Sequence, residues 1–171
     1  MDLRFAFLSG ANLTNADLDG ADLTGANLTR ADLNNMSLTG ANLEGANLTG
    51  ANLSLVLSGG ISGTPQSLPA GWSIQGGFLI GPGANLGGAG LTGENLTGAN
   101  LTGAYLYGAN LTNANLTGAI LTTANLTEAI LTGANLRGAY LTGADLTEAI
   151  LTGVTWSNTT CPDGSVTNTG C

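Results

Sequence analysis

Leucine returns at every fifth position of this chain, in phase, over two long runs. The first extends from Leu3 to Leu53 without a miss, and the second from Leu86 to Leu151, with Trp156 in the following slot. Two residues before nearly every leucine stands a small residue, usually alanine. The unit therefore reads Ala-Asn/Asp-Leu-Thr-Gly, as in Ala26-Asn27-Leu28-Thr29 and Ala99-Asn100-Leu101-Thr102-Gly103. A fixed period of this kind decides architecture ahead of any local propensity. It also leaves few unusual residues with which to do chemistry.

A five-residue period matches neither the roughly 3.6 residues of a helical turn nor the roughly 2 of strand alternation. Recurrent glycine, asparagine and threonine argue further against helix. The pattern predicts short extended pieces joined by tight turns. Alanine and leucine then point to one side, and asparagine and threonine to the other. Glycine or asparagine in the fifth slot supplies the positive φ that a type II turn requires at its third residue. Arg30, Thr123, Glu128 and Glu148 occupy that slot as well, and the expectation there is a different turn type.

On these repeats the chain resembles the pentapeptide-repeat family, over roughly three quarters of its length. The resemblance implies an all-β fold, a right-handed quadrilateral β-helix in which four pentapeptides make one square coil. Coils stack at about 4.8 Å, with leucines along the axis, alanines at the corners and asparagine or aspartate on the outer wall. The residue-level reading agrees, because the interior is too narrow for two large side chains per unit.

Four segments are expected within one solenoid domain: a repeat block at 1–57, an interruption at 58–83, a second block at 84–158 and a tail at 159–171. The interruption holds Gly59-Gly60, Pro65, Pro69, Pro82, Trp72 and Phe78. Leu53 and Leu86 lie 33 positions apart, not a multiple of five, so this segment is expected to bulge out of the coil. A small hairpin is expected around Gly76-Gly77. Trp72 and Phe78 either mark a binding spot or pin the loop onto the wall.

Composition excludes several functions. The chain carries 3 arginines and no lysine or histidine against 11 acids, a net charge of −8. Nucleic-acid binding needs a cluster of cations, so it is not expected. No apolar run is long enough to span a membrane as a helix. The usual general bases and Schiff-base nucleophiles are absent, so no catalytic set, cofactor or metal site is expected. The carboxylates offer two weaker candidates. Glu128 and Glu148 should stack on one corner with Asp145 near in sequence, and Asp17, Asp19 and Asp22 cluster on two sides of a coil. Both groups read more readily as solvated wall than as cation sites. The Asn-Leu-Thr sequons, for instance at Asn47, Asn95 and Asn115, are by-products of the repeat.

Cys161 and Cys171 are expected to close the tail as a disulfide, which places the chain in an oxidising, extracellular-type compartment. The segment Met1-Asp2-Leu3-Arg4-Phe5 shows no basic-then-apolar leader, and the cysteines carry more weight. Positions twenty apart should form outer columns: Thr92, Thr112, Thr132 and Thr152; Asn95, Asn115 and Asn135; Ile130 with Ile150; Ile120 with Tyr140. Asparagine columns are expected to satisfy their own amides as ladders.

Functionally, the reading is a non-catalytic structural or protein-interaction solenoid that associates with itself end to end. The C-terminal end is expected to be capped by Trp156 and the tail, and the N-terminal end to be open. Leu3, Phe5, Phe7, Trp72, Phe78 and Trp156 are the candidate interaction residues. Two alternatives stand beside this reading: an acidic, DNA-mimicking topoisomerase-binding protein, and an ice or surface binder using the threonine columns.

Overall fold

The computed structural model describes residues 1–171. They divide into two compact units, Met1–Leu79 and Ile80–Cys171. Each is a right-handed quadrilateral β-helix, as the repeat implies.

In the first unit, parallel bridges join residues twenty apart, from Asp2 with Asp22 through to Asn47 with Ser67. The leucine N–H of one coil donates to the next coil, as Leu23 does to the Asn42 carbonyl at 2.9 Å. The outward residue of that next coil donates back, as Asn42 does to the Ala21 carbonyl at 2.9 Å. Leucine and alanine point inward and are sealed: Leu23, Ala26, Leu33, Ala41 and Leu43 are fully buried. The 58–83 segment departs from the expected bulge. Coil geometry continues past Leu57, with Ser62 and Ser67 bridging Asn42 and Asn47. The ladder uses backbone groups only, so it propagates beyond the repeat wherever a small or apolar residue can face inward.

After Ser67 the chain turns back onto this core. Strand β1 (Ser73–Gln75) pairs with β2 (Phe78–Ile80) around Gly76 and Gly77. Leu68, Trp72 and Ile74 pack against the leucine stack and Leu79 enters it. The Leu79 N–H donates to the buried Ser58 hydroxyl at 3.0 Å.

The second unit repeats the scheme from Asn85 with Tyr105 to Tyr140 with Thr160. Its four walls carry, as outward residues, the columns Asn85/Tyr105/Asn125/Asp145, Gly90/Asn110/Ile130/Ile150, Asn95/Asn115/Asn135/Thr155 and Asn100/Ile120/Tyr140/Thr160. The tail forms strand β3 (Thr159–Thr160), antiparallel to β4 (Val166–Thr167).

The corners correct one expectation. Each alanine closes a turn onto the leucine three residues earlier, as Ala129 does to Leu126 at 3.0 Å. The residue between them is left-handed throughout, glycine or not: φ is 56° at Arg30, 55° at Thr123, 59° at Glu128 and 58° at Glu148. The same turn therefore serves everywhere. A residue at that slot must adopt positive φ, because any other turn would throw the next strand piece out of register.

The asparagine columns also differ from expectation. In the Asn95/Asn115/Asn135 column each Oδ1 accepts the N–H two residues on, at 3.2, 3.1 and 3.1 Å. No amide bond runs between these side chains. A local turn cap wins because it forms within one pentapeptide. Amide bonds between coils do occur in the first unit, from Asn35 to Asn15 at 2.7 Å and from Asn52 to Asp32 at 2.9 Å.

Candidate interaction surfaces

Three surfaces hold the residues that the repeat does not explain. The first is the free face of the first coil. Leu3, Leu8 and Leu13 are only half-buried there, whereas the leucines one coil deeper are sealed. The N–H and carbonyl groups of Phe7, Asn12 and Asp17 make no backbone bond to another residue. Phe5 sits at a corner with φ 56°. Its ring lies across Gly25, where an added Cβ would come within 2.6 Å of the ring carbons. Phe7 belongs elsewhere: it occupies an outward wall slot and is 92% exposed. It faces sideways, not toward the open end of the coil.

One ion pair braces this coil. Arg4 reaches the Asp2 carboxylate at 2.7 Å and Asp22 at 3.8 Å. The hydrogen bond from Arg4 holds the Asp2 carboxyl down at about 2. Asp22 is lowered mainly by the Thr24 hydroxyl and N–H. The acids of this region act as turn acceptors. Asp17 takes the Asp19 N–H at 3.0 Å, and Asp19 takes the Thr39 N–H at 2.9 Å and the Ser37 hydroxyl.

The second surface is the last coil of the second unit with its tail. The Sγ atoms of Cys161 and Cys171 stand 2.07 Å apart, at disulfide distance. Thr159 is fully buried and its Oγ1 donates to the Leu136 carbonyl at 2.7 Å. Leu141 and Gly143 donate to the Thr160 and Pro162 carbonyls, each at 2.8 Å. The tail thus continues one wall of the coil. Trp156 is half-buried, and Gly170 lies against its indole. This is less than the expected cap. Leu146 and Leu151 remain half-buried and their N–H groups have no backbone acceptor. A thirteen-residue tail tied by a ten-residue disulfide loop is too short to follow all four walls.

The third surface is a corner of the second unit. Tyr105 and Tyr107 stack there, with ring centroids 6.1 Å apart and planes inclined by 17°. The Glu128 carboxylate beside Tyr107 pushes its hydroxyl above the ordinary tyrosine value, with burial and Glu148 adding to the shift. Asp145 is not drawn into this group. Its Oδ1 accepts the Thr147 hydroxyl at 2.5 Å and N–H at 2.9 Å, and these bonds lower its pKa. No three acids or thiols converge on a point that would hold a metal ion.

Trp72 and Phe78 play a packing part. Trp72 lies against the first unit's core, and the Phe78 ring covers Gly59, where an added Cβ would meet it at 3.1 Å. Leu3 and Phe5 lie on the first coil, where the repeat's phase puts them. The Tyr105–Tyr107 stack had a local signal, Tyr105 in a column with Asn85 and Asn125, and Tyr107 in a column with Thr127 and Thr147.

The family model described as pentapeptide repeats matches in eight copies over residues 2–35, 16–54, 83–118 and 119–155. The solved structure of alr5209, a pentapeptide repeat protein from Nostoc PCC 7120, is 42% identical over 46% of this chain, with a TM-score of 0.45; the chain spans only 64% of that protein. HetL, a pentapeptide repeat protein involved in heterocyst differentiation regulation in Nostoc sp. strain PCC 7120, is 33% identical over 97% of this chain and 78% of its own, with a TM-score of 0.37. A pentapeptide repeat protein of the Arabidopsis thaliana thylakoid lumen is 26% identical over 84% of this chain and 66% of its own, with a TM-score of 0.38. No curated protein sequence matches the chain.

Proposed function

The chain belongs to the pentapeptide repeat family, and from that premise we propose that it is a non-catalytic interaction protein that associates with itself end to end. The observation carrying this reading is the face of the first coil. It combines half-buried leucines with backbone donors and acceptors that no neighbour uses. A solenoid end of this kind is an unpaired sheet edge and an unfinished core at once. The last coil offers matching chemistry at Leu146 and Leu151. Docking one copy's last coil on another's first coil would continue the ladder and cover both cores. Such a contact is heterologous and propagates into filaments unless it closes into a ring. The pairing of the two cysteines, Cys161 with Cys171, is compatible with an oxidising compartment.

Sedimentation velocity across a concentration series, with negative-stain microscopy, tests the proposal. Mass should grow with concentration, and Leu3→Asp with Leu8→Asp should abolish that growth while the fold persists. A monomer at every concentration overturns it.

A further inference from the structure

Outward positions in this chain are mostly asparagine or aspartate because the side-chain oxygen caps the turn N–H two residues on. Corners are mostly glycine because the slot is left-handed. Around one corner of the second unit both rules lapse together. Tyr105 replaces an asparagine on one wall, and Ile130 and Ile150 replace them on the adjoining wall. Between the walls the corner column carries Glu128 and Glu148 at φ 59° and 58°, conformations that disfavour any residue with a Cβ. Tyr107, next to the corner, fills a slot that threonine holds in the next two coils, at Thr127 and Thr147. The departures give up turn caps and accept a less favourable backbone, and the Tyr105 ring lies across Gly87 of the coil before.

What they build is a ridge. Glu128 and Glu148 share the corner one coil apart, their backbones about 4.8 Å from each other by the sheet spacing. The stacked tyrosines flank them on one side, each about two-fifths exposed. The isoleucines flank them on the other, with Ile150 48% exposed. An aromatic face beside a carboxylate pair, with aliphatic surface adjoining, matches a guanidinium on an alkyl stem. The planar cation stacks on tyrosine while its N–H edges reach two carboxylates, and the stem covers isoleucine.

We propose that this corner of the second unit is a docking surface for an arginine-bearing segment of a partner protein. Charge complementarity points away from a second copy, because the chain has no lysine, three arginines and a net charge of −8. The surface is therefore separate from end-to-end association and does not depend on it.

The test is an NMR titration of the disulfide-intact protein with a capped tetrapeptide of alternating arginine and isoleucine. Lysine-for-arginine and glutamate-for-arginine versions serve as comparisons. Shifts should be confined to the tyrosine rings, the Glu128 and Glu148 amides and the isoleucine methyls. Affinity should fall about tenfold in the Glu128→Gln, Glu148→Gln double variant and several-fold for the lysine peptide, and the glutamate peptide should not bind. Tyr107→Thr, which restores the residue of the neighbouring coils, should also weaken binding while leaving circular dichroism unchanged. No shifts at millimolar arginine peptide, shifts elsewhere on the surface, equal binding of the lysine peptide, or unchanged affinity in both variants would each overturn the proposal.

Discussion

Leu116 tests how the coil is held together. Its side chain is fully buried and lies in the column with Leu96 and Leu136, which are equally sealed. Truncating a buried leucine costs about 2–5 kcal/mol, depending on how far the surroundings collapse. Collapse is restricted here. Leu116 donates to the Asn135 carbonyl at 2.8 Å, and Asn115 donates to the Glu94 carbonyl at 2.9 Å. Coils above and below are held at the ladder spacing whatever fills the axis, so the upper part of the range applies. Leu116→Asp adds a carboxyl with no partner inside a leucine stack. It must either stay charged at a further cost of several kcal/mol or take up a proton with a strongly raised pKa. The total exceeds about 5 kcal/mol, comparable with the whole stability of many domains. Thr117→Ala, one residue away, removes only the hydroxyl bond to Asn115 at 2.6 Å; the N–H bond at 3.1 Å stays. Its cost should be about 0.5–1 kcal/mol. Thermal and urea unfolding followed by circular dichroism measure both variants. Melting points within about 2 °C of each other would refute the inside–outside assignment.

Four further outcomes follow from the same geometry. Arg4→Ala should raise the Asp2 carboxyl from about 2 toward the ordinary aspartate value of about 3.9, read by NMR titration. Because the folded value is the depressed one, the pair's contribution is present above about pH 4 and fades as pH falls through about 2; an unshifted Asp2 in the variant would contradict the pairing. Glu128→Gly and Glu148→Gly should each stabilise the fold by up to about 1 kcal/mol by relieving a left-handed Cβ, and a loss of stability on denaturant unfolding would contradict the strain argument. Glu128→Gln should bring Tyr107 down toward the ordinary phenol value of about 10, followed as phenolate absorbance; no change would mean that the two side chains do not meet. Thiol titration of denatured, unreduced protein should find no free thiol at Cys161 or Cys171, and two free thiols would remove the oxidising-compartment reading with the bond.

Much of the architecture was legible in the repeat alone. The five-residue phase determined which side chains are buried and which are exposed. That residues twenty apart would be neighbours came from the resemblance to the pentapeptide-repeat family, because a period of five does not by itself fix four corners to a coil. The pairing of Cys161 with Cys171 needed no structure either, since there are only two cysteines. Tertiary structure decided where the coil stops. Ser58–Ser67 has lost the leucine phase, yet it stays in the coil as far as Ser67, because the ladder is made of backbone groups that do not depend on side-chain identity. It also decided that every corner takes one conformation, so that Arg30, Thr123, Glu128 and Glu148 obey the stacking of their neighbours over their own preference. And it decided the fate of apolar residues outside the repeat. Leu79 and Trp72 turn inward to cover the first unit's core, whereas Phe7 stays in water. That choice depends on which apolar surface the completed coil leaves uncovered, and no local stretch of sequence contains it.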